Sequence, residues 1–114
     1  MNKYRNKKIT YNGETYDSVK EYRRHDELKL LQRAGKISGL ERQKKFELIP
    51  SQKDPKTKKV ILRGVSYVAD FVYCQDGKQI VEDVKGYKGG GAYAVFTLKK
   101  KMMLYFHGIL VKEI

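Results

Sequence analysis

The sequence predicts an α/β (α+β) chain in the order helix, three strands, helix, strand (αβββαβ), with one mixed central sheet and helices on its two sides. Three observations predict it. Tyr67 to Gly86 holds two runs rich in Val, Ile, Tyr and Phe around Asp76-Gly77, the signature of a hairpin with a two-residue type I′ turn. Ser18-Val-Lys-Glu21 matches a capping box at a helix start. Val95, Leu98, Met102 and Tyr105 or Phe106 recur at helical spacing around Lys99, Lys100 and Lys101.

Composition narrows the function. With 114 residues the chain should form one domain, 1–114, with a single modest core. A net charge of +12 favours polyanions, nucleic acid first among them. A basic ribosomal-type or merely soluble protein is the plain alternative. No long apolar run or basic amphipathic anchor points to a membrane. The single cysteine, Cys74, excludes an internal disulfide framework and suits a reducing compartment; it reads as a strand residue near the turn. The polar, basic start lacks the apolar segment of a signal peptide, so an intracellular, cytoplasmic protein is expected.

In chain order, residues 1–8 carry Lys3, Arg5, Lys7 and Lys8 and read as a mobile basic arm. Ile9 to Tyr16 forms a small hairpin around Asn12-Gly13. The first helix runs from Ser18 to a C′ glycine, Gly35, with Val19, Tyr22, Leu28, Leu30, Leu31 and Ala34 as its apolar side. His25, between Arg24 and Asp26, reads as a surface residue, and Asp26 and Glu27 as solvated or salt-bridged. Ile37 to Ile49 is a strand stopped by Pro50. Residues 51–59 form an exposed basic loop, whose Lys53 and Lys56 are candidates to follow a DNA backbone or simply to face water. Val60 to Tyr73 is long for one strand, which calls for a bend near Gly64. Its odd positions from Val65 to Tyr73 should form one apolar face against a helix. Gly86 to Gly91 is a glycine-rich loop, either mobile beside a site or a plain linker. Tyr93 to His107 is the second helix, ended by Gly108, and Ile109 to Val111 is a closing strand. Lys99 can lean toward the site, while Lys88, Lys100 and Lys101 are candidates for DNA phosphates.

The tight turn sets a register with Gln75 opposite Lys78, which carries Asp70 opposite Asp83. Val68 and Lys85, and Val72 and Val81, share that side, because strand side chains alternate. Carboxylates so opposed repel, the more so among valines. A cation between them relieves this, either Lys85 or a divalent ion; hard oxygen ligands suit Mg²⁺ or Mn²⁺. Glu82 should point away, though a slip of one residue would exchange it with Asp83.

Asp70 followed by Asp83-Val84-Lys85 resembles the signature of the PD-(D/E)XK nuclease superfamily. The proline of that signature is absent, Ala69 standing before Asp70. Nearly the whole chain is similar to a family of small phage-encoded nuclease-like proteins of that superfamily. The similarity runs through the helix around Ser18 to Ala34, Leu40 to Gln43, Tyr67 to Phe71, Val81 to Gly86 and the final Lys-rich helix. The resemblance implies a restriction-endonuclease-like core and a Mg²⁺-dependent endodeoxyribonuclease with no small-molecule cofactor. Asp70 and Asp83 would bind metal, and Lys85 would position or activate the attacking water. Glu21 would be a third catalytic and metal-binding acid unless it serves only as the helix cap. Gln43 would lie beside the site unless it is simply exposed. Kinship further implies a homodimer acting on branched or duplex DNA, as Holliday junction resolvases do in DNA recombination, inside a phage-infected bacterium. The alternative is a non-catalytic, basic nucleic-acid-binding module that retains the fold.

Overall fold

The computed structural model describes residues 8–86 and 88–114. Of the expected basic arm only Lys8 lies within them, and Tyr87 of the glycine-rich loop lies outside. A small hairpin, β1 (Ile9–Tyr11) and β2 (Glu14–Tyr16), turns at Asn12 and Gly13, both at positive φ. Helix α1 (Val19–Arg33) follows, then β3 (Ser38–Ile49) and a short antiparallel pair, β4 (Gln52–Lys53) with β5 (Val60–Leu62). Next come β6 (Val65–Gln75), β7 (Lys78–Asp83), α2 (Gly90–His107) and β8 (Lys112–Glu113). The main sheet has the order β3-β6-β7-β8, antiparallel except for the parallel pair β7–β8. The chain is therefore mixed α/β, with a mixed sheet between two helices.

Local chemistry explains most boundaries. Ser18 caps α1, its hydroxyl accepting from the Glu21 amide at 3.1 Å. Gly35, in the left-handed region, closes it: its amide reaches the Gln32 carbonyl and that of Lys36 the Leu31 carbonyl. Gly108 does the same for α2. The break at Gly64 divides the long strand as its length requires. A Cβ there would meet the Ile49 carbonyl oxygen at 2.6 Å and the Ser51 nitrogen at 3.0 Å, so only glycine fits. The Asp76-Gly77 turn holds the predicted register, Gln75 with Lys78 through Phe71 with Glu82.

Several expectations need correction. Helix α2 begins at Gly90, inside the glycine run and three residues before Tyr93, because an extended Gly89 can act as its N-cap. Residues 51–59 are not all loop, since β4 lies within them. The closing strand is Lys112–Glu113; Val111 instead packs in the core. On α1 the buried residues are Glu21, His25 and Leu28, one stripe at helical spacing, while Val19, Leu30 and Leu31 face water. His25 is thus interior. Its Nδ1 pairs with the Tyr16 hydroxyl at 2.7 Å, its ring stacks on Phe71, and burial pushes its pKa down.

The largest departure is in the sheet. Tyr67 and Ala69 pack with Phe96 and Met103 on the α2 side, but Phe71 and Tyr73 pack with Leu28 on the α1 side. Alternation breaks between Ala69 and Phe71, so the odd positions of β6 do not form one face. Strand β3 breaks in step: Leu40 faces the α1 cluster, whereas Phe46 and Leu48 join the α2 cluster. Gln43, at φ 53°, is where β3 changes phase. The register on either side of it is unchanged, which puts Gln43 across from Asp70. Two facing kinks thus pass each strand from one layer to the other.

Candidate active site

The matched kinks place Asp70 at the crossover between the two layers. Its Oδ1 accepts from Gln43 Nε2 at 3.2 Å and its Oδ2 from the Val84 amide at 2.8 Å. Gln43, half of the kink, is also the residue that orients the carboxylate. Strand β7 alternates regularly, so Glu82 points to the α1 side and Asp83 to the α2 side. Asp83 is 6 % exposed. Its Oδ2 accepts from the buried Tyr67 hydroxyl at 2.6 Å, and its Oδ1 meets Lys85 Nζ at 2.8 Å. The Lys85 ammonium also sits 3.7 Å from the centre of the Phe96 ring, a cation–π contact that holds it over the acid.

Asp83, Lys85 and Lys99 line one cavity of about 330 Å³ with Tyr67, Val68 and Phe96. Lys99 thus borders the same cavity as Asp83. Asp70 borders the cluster from the sheet. Burial raises the Asp83 pKa first, and the negative charge of Asp70 raises it further. Burial likewise lifts the Asp70 carboxyl to about 6, against hydrogen bonding from Val84; Glu21 adds to the rise. Glu21 is 3 % exposed and serves two ends. Its Oε1 accepts from the amide of Asp17, one residue before the cap, at 3.0 Å, and stands 3.6 Å from Arg42 Nη2. The cap role and a place beside Asp70 are thus compatible.

Glu82 is the acid that a register slip would have brought in. It is fully buried, held by Arg24 at 2.8 and 2.6 Å and by the Tyr73 hydroxyl. That network is structural and separate.

Among the described residues no group of three or more His, Cys, Asp and Glu side chains stands ready to hold a metal. The oxygens of Asp70 and Asp83 are already taken by Gln43, Val84, Tyr67 and Lys85. The donor chemistry nonetheless suits a hard divalent cation: a buried and a half-buried carboxylate, both with raised pKa, and a third acid next to one of them.

The lysines proposed for DNA divide. Lys100 is tied to Glu113 at 2.7 Å, and Lys88 stands 3.9 Å from the same acid. Lys53, Lys56 and Lys101 are exposed. Three residues at the site were not anticipated from the sequence. Tyr67 looked like an ordinary core aromatic, Lys20 bonds the Lys85 carbonyl at 2.9 Å, and Arg42 lies over Tyr16 beside Glu21. For Tyr67 a signal existed, since a tyrosine on an apolar face needs a partner for its hydroxyl. For Lys20 and Arg42 none did, because their contacts come from distant parts of the chain. Among the described residues no helix is long and apolar enough to cross a membrane.

A protein-family model described as "Protein of unknown function (DUF1064)" matches residues 1–110. No curated protein and no solved structure matches the chain.

Proposed function

The chain belongs to the DUF1064 family, and we propose that it is a metal-dependent endodeoxyribonuclease that hydrolyses phosphodiester bonds with a restriction-endonuclease-like core. One observation carries the reading. Asp83 is buried and feels the negative charge of the half-buried Asp70, Asp70 feels that of Glu21, and a lysine is clamped on Asp83. A fold gains no stability from crowding acids so, and strain of this kind gathers at functional sites. The element order and the parallel β7–β8 pair support the core assignment.

Asp70 and Asp83, with Glu21 beside Asp70, would hold Mg²⁺ or Mn²⁺. When bound, such an ion supplies a water of lowered pKa and neutralises charge on the phosphoryl group. The protein's own groups do the rest. Gln43 and the Val84 amide fix the Asp70 carboxylate, and Tyr67 fixes that of Asp83. Lys85 donates to the attacking water or to the developing negative charge. Lys99 draws a phosphate into the cavity. The net charge of +12 points to contacts with the nucleic-acid backbone as the dominant part of binding, with the substrate chosen by shape. Branched DNA is the substrate we favour, cut by a homodimer within a phage-infected cell.

A second reading, a DNA-binding module without catalysis, is favoured by one fact: protein donors already occupy the oxygens of both aspartates. Labelled four-way junction, flap, duplex and single-stranded DNA incubated with Mg²⁺, Mn²⁺ or EDTA separates the two. Cutting of junction DNA with Mg²⁺, lost in EDTA and in Asp83→Asn, is expected. Binding without cutting establishes the second reading, and equal cutting by Asp83→Asn removes the site assignment.

A further inference from the structure

Beyond Gly64 stands the separate β4–β5 hairpin, whose apolar strand is left exposed among the described residues. Val60, Ile61 and Leu62 are 52 %, 62 % and 58 % exposed. Gln52 pairs with Leu62 and Lys53 with Val60, which leaves Ile61 as the extra residue of a bulge. Three consecutive large apolar residues in water are a marker of an interaction surface. Around them stand Lys53, Lys56, Lys58, Lys59 and Arg63. The one acid, Asp54, is consumed within the turn: its Oδ1 accepts from the amides of Lys56 and Thr57. The hairpin is built to hold its shape. Asp54 pins the tip, paired with Lys59 through the backbone, and the tight approach at Gly64 fixes the base.

We propose that this hairpin is a second nucleic-acid contact. It is a β-ribbon that sets Ile61 and Leu62 into the groove of a duplex while its lysines bind the flanking phosphates. The proposal rests on the DNA-acting reading above and adds a contact remote from the acids. A two-stranded ribbon fits the major groove, and apolar side chains are a known means of gripping or wedging base steps. A second copy of the chain is the poorer occupant, because a symmetric contact would bring two such cationic strips together.

The test is fluorescence anisotropy of the full chain on labelled duplex and four-way junction DNA across a salt series in EDTA. Ile61→Ser with Leu62→Ser should weaken binding about tenfold with the salt slope unchanged, because an apolar contact releases no counterions. Lys56→Ser with Lys58→Ser and Lys59→Ser should lower the slope by about 2 to 3. Cutting lost in Asp83→Asn and grip lost in the hairpin variants are separate readouts. Unchanged binding by the apolar variant, beside intact Mg²⁺-dependent cutting by the wild type, overturns the hairpin proposal alone. A wild type that binds no DNA overturns both readings. A wild-type dimer that the apolar variant splits, with each protomer's DNA affinity unchanged, shows self-association and also overturns it. Matching circular dichroism and melting temperatures would show that the variants fold.

Discussion

Asp70 holds its proton more tightly in the folded protein than in the unfolded chain, where an aspartate titrates near its ordinary value of 3.8 rather than at about 6. Between those values the folded state binds more protons, so stability falls as pH rises from about 4 to about 6. Asp83 shifts in the same direction and deepens the loss. Asp70→Asn keeps the shape without the charge. It should be more stable than the wild type at pH 7 by about 1–2 kcal/mol, with the gap closing near pH 4. Urea unfolding in metal-free buffer at the two pH values checks this, and a gap of equal size at both would refute it. Tyr67→Phe should cost about 1.5–3 kcal/mol by the same assay, since it leaves a buried carboxylate oxygen without its donor. The register from Gln75 with Lys78 to Phe71 with Glu82, which leads up to the two aspartates, was legible in the sequence because an Asp-Gly turn fixes it. The donors on their oxygens were not, since nothing local ties Tyr67 to residue 83.

Among the elements, α1 shows how a helix can be found while its inner face is misjudged. Ser18, Glu21 and Gly35 gave its ends, because caps are local chemistry. Its buried stripe of Glu21, His25 and Leu28 is mostly polar, and of the apolar residues used to orient it Leu28 alone is buried, while Val19, Leu30 and Leu31 face water. The partners that make a buried acid and histidine tolerable, Arg42 and Tyr16, come from other strands. Ser18→Ala should cost about 1 kcal/mol of stability and should also lower cutting, because the same turn carries Glu21. Thermal melts beside cleavage rates decide it: lost stability with unchanged cutting would leave Glu21 as a cap alone. Gly64→Ala drives a Cβ into backbone atoms of residues 49 and 51 and should destabilise by about 1–3 kcal/mol. A melting temperature equal to the wild type's would contradict the close approach.

Across the whole molecule, two layers are joined to one sheet by very different means. Helix α2 is held by an apolar cluster, whereas α1 is fastened in part by the Arg24, Glu82 and Tyr73 network. Arg24→Met strands a fully buried carboxylate and should cost about 3–5 kcal/mol in urea unfolding. A loss below 1 kcal/mol would mean that the pair contributes little. The order of elements could be read from periodicity and turns, and the whole-chain charge pointed to polyanions. The layer that each side chain joins could not be read, because strict alternation was assumed through Asp70. The paired kinks at Gln43 and Asp70 carry a consequence for how this sheet can vary. At this point each strand changes step, and the two changes cancel only because they stand face to face. Deleting a single residue from either strand near that point would turn everything beyond it inside out relative to its neighbour. Insertions and deletions are therefore tolerable there only in matched pairs, one in each strand.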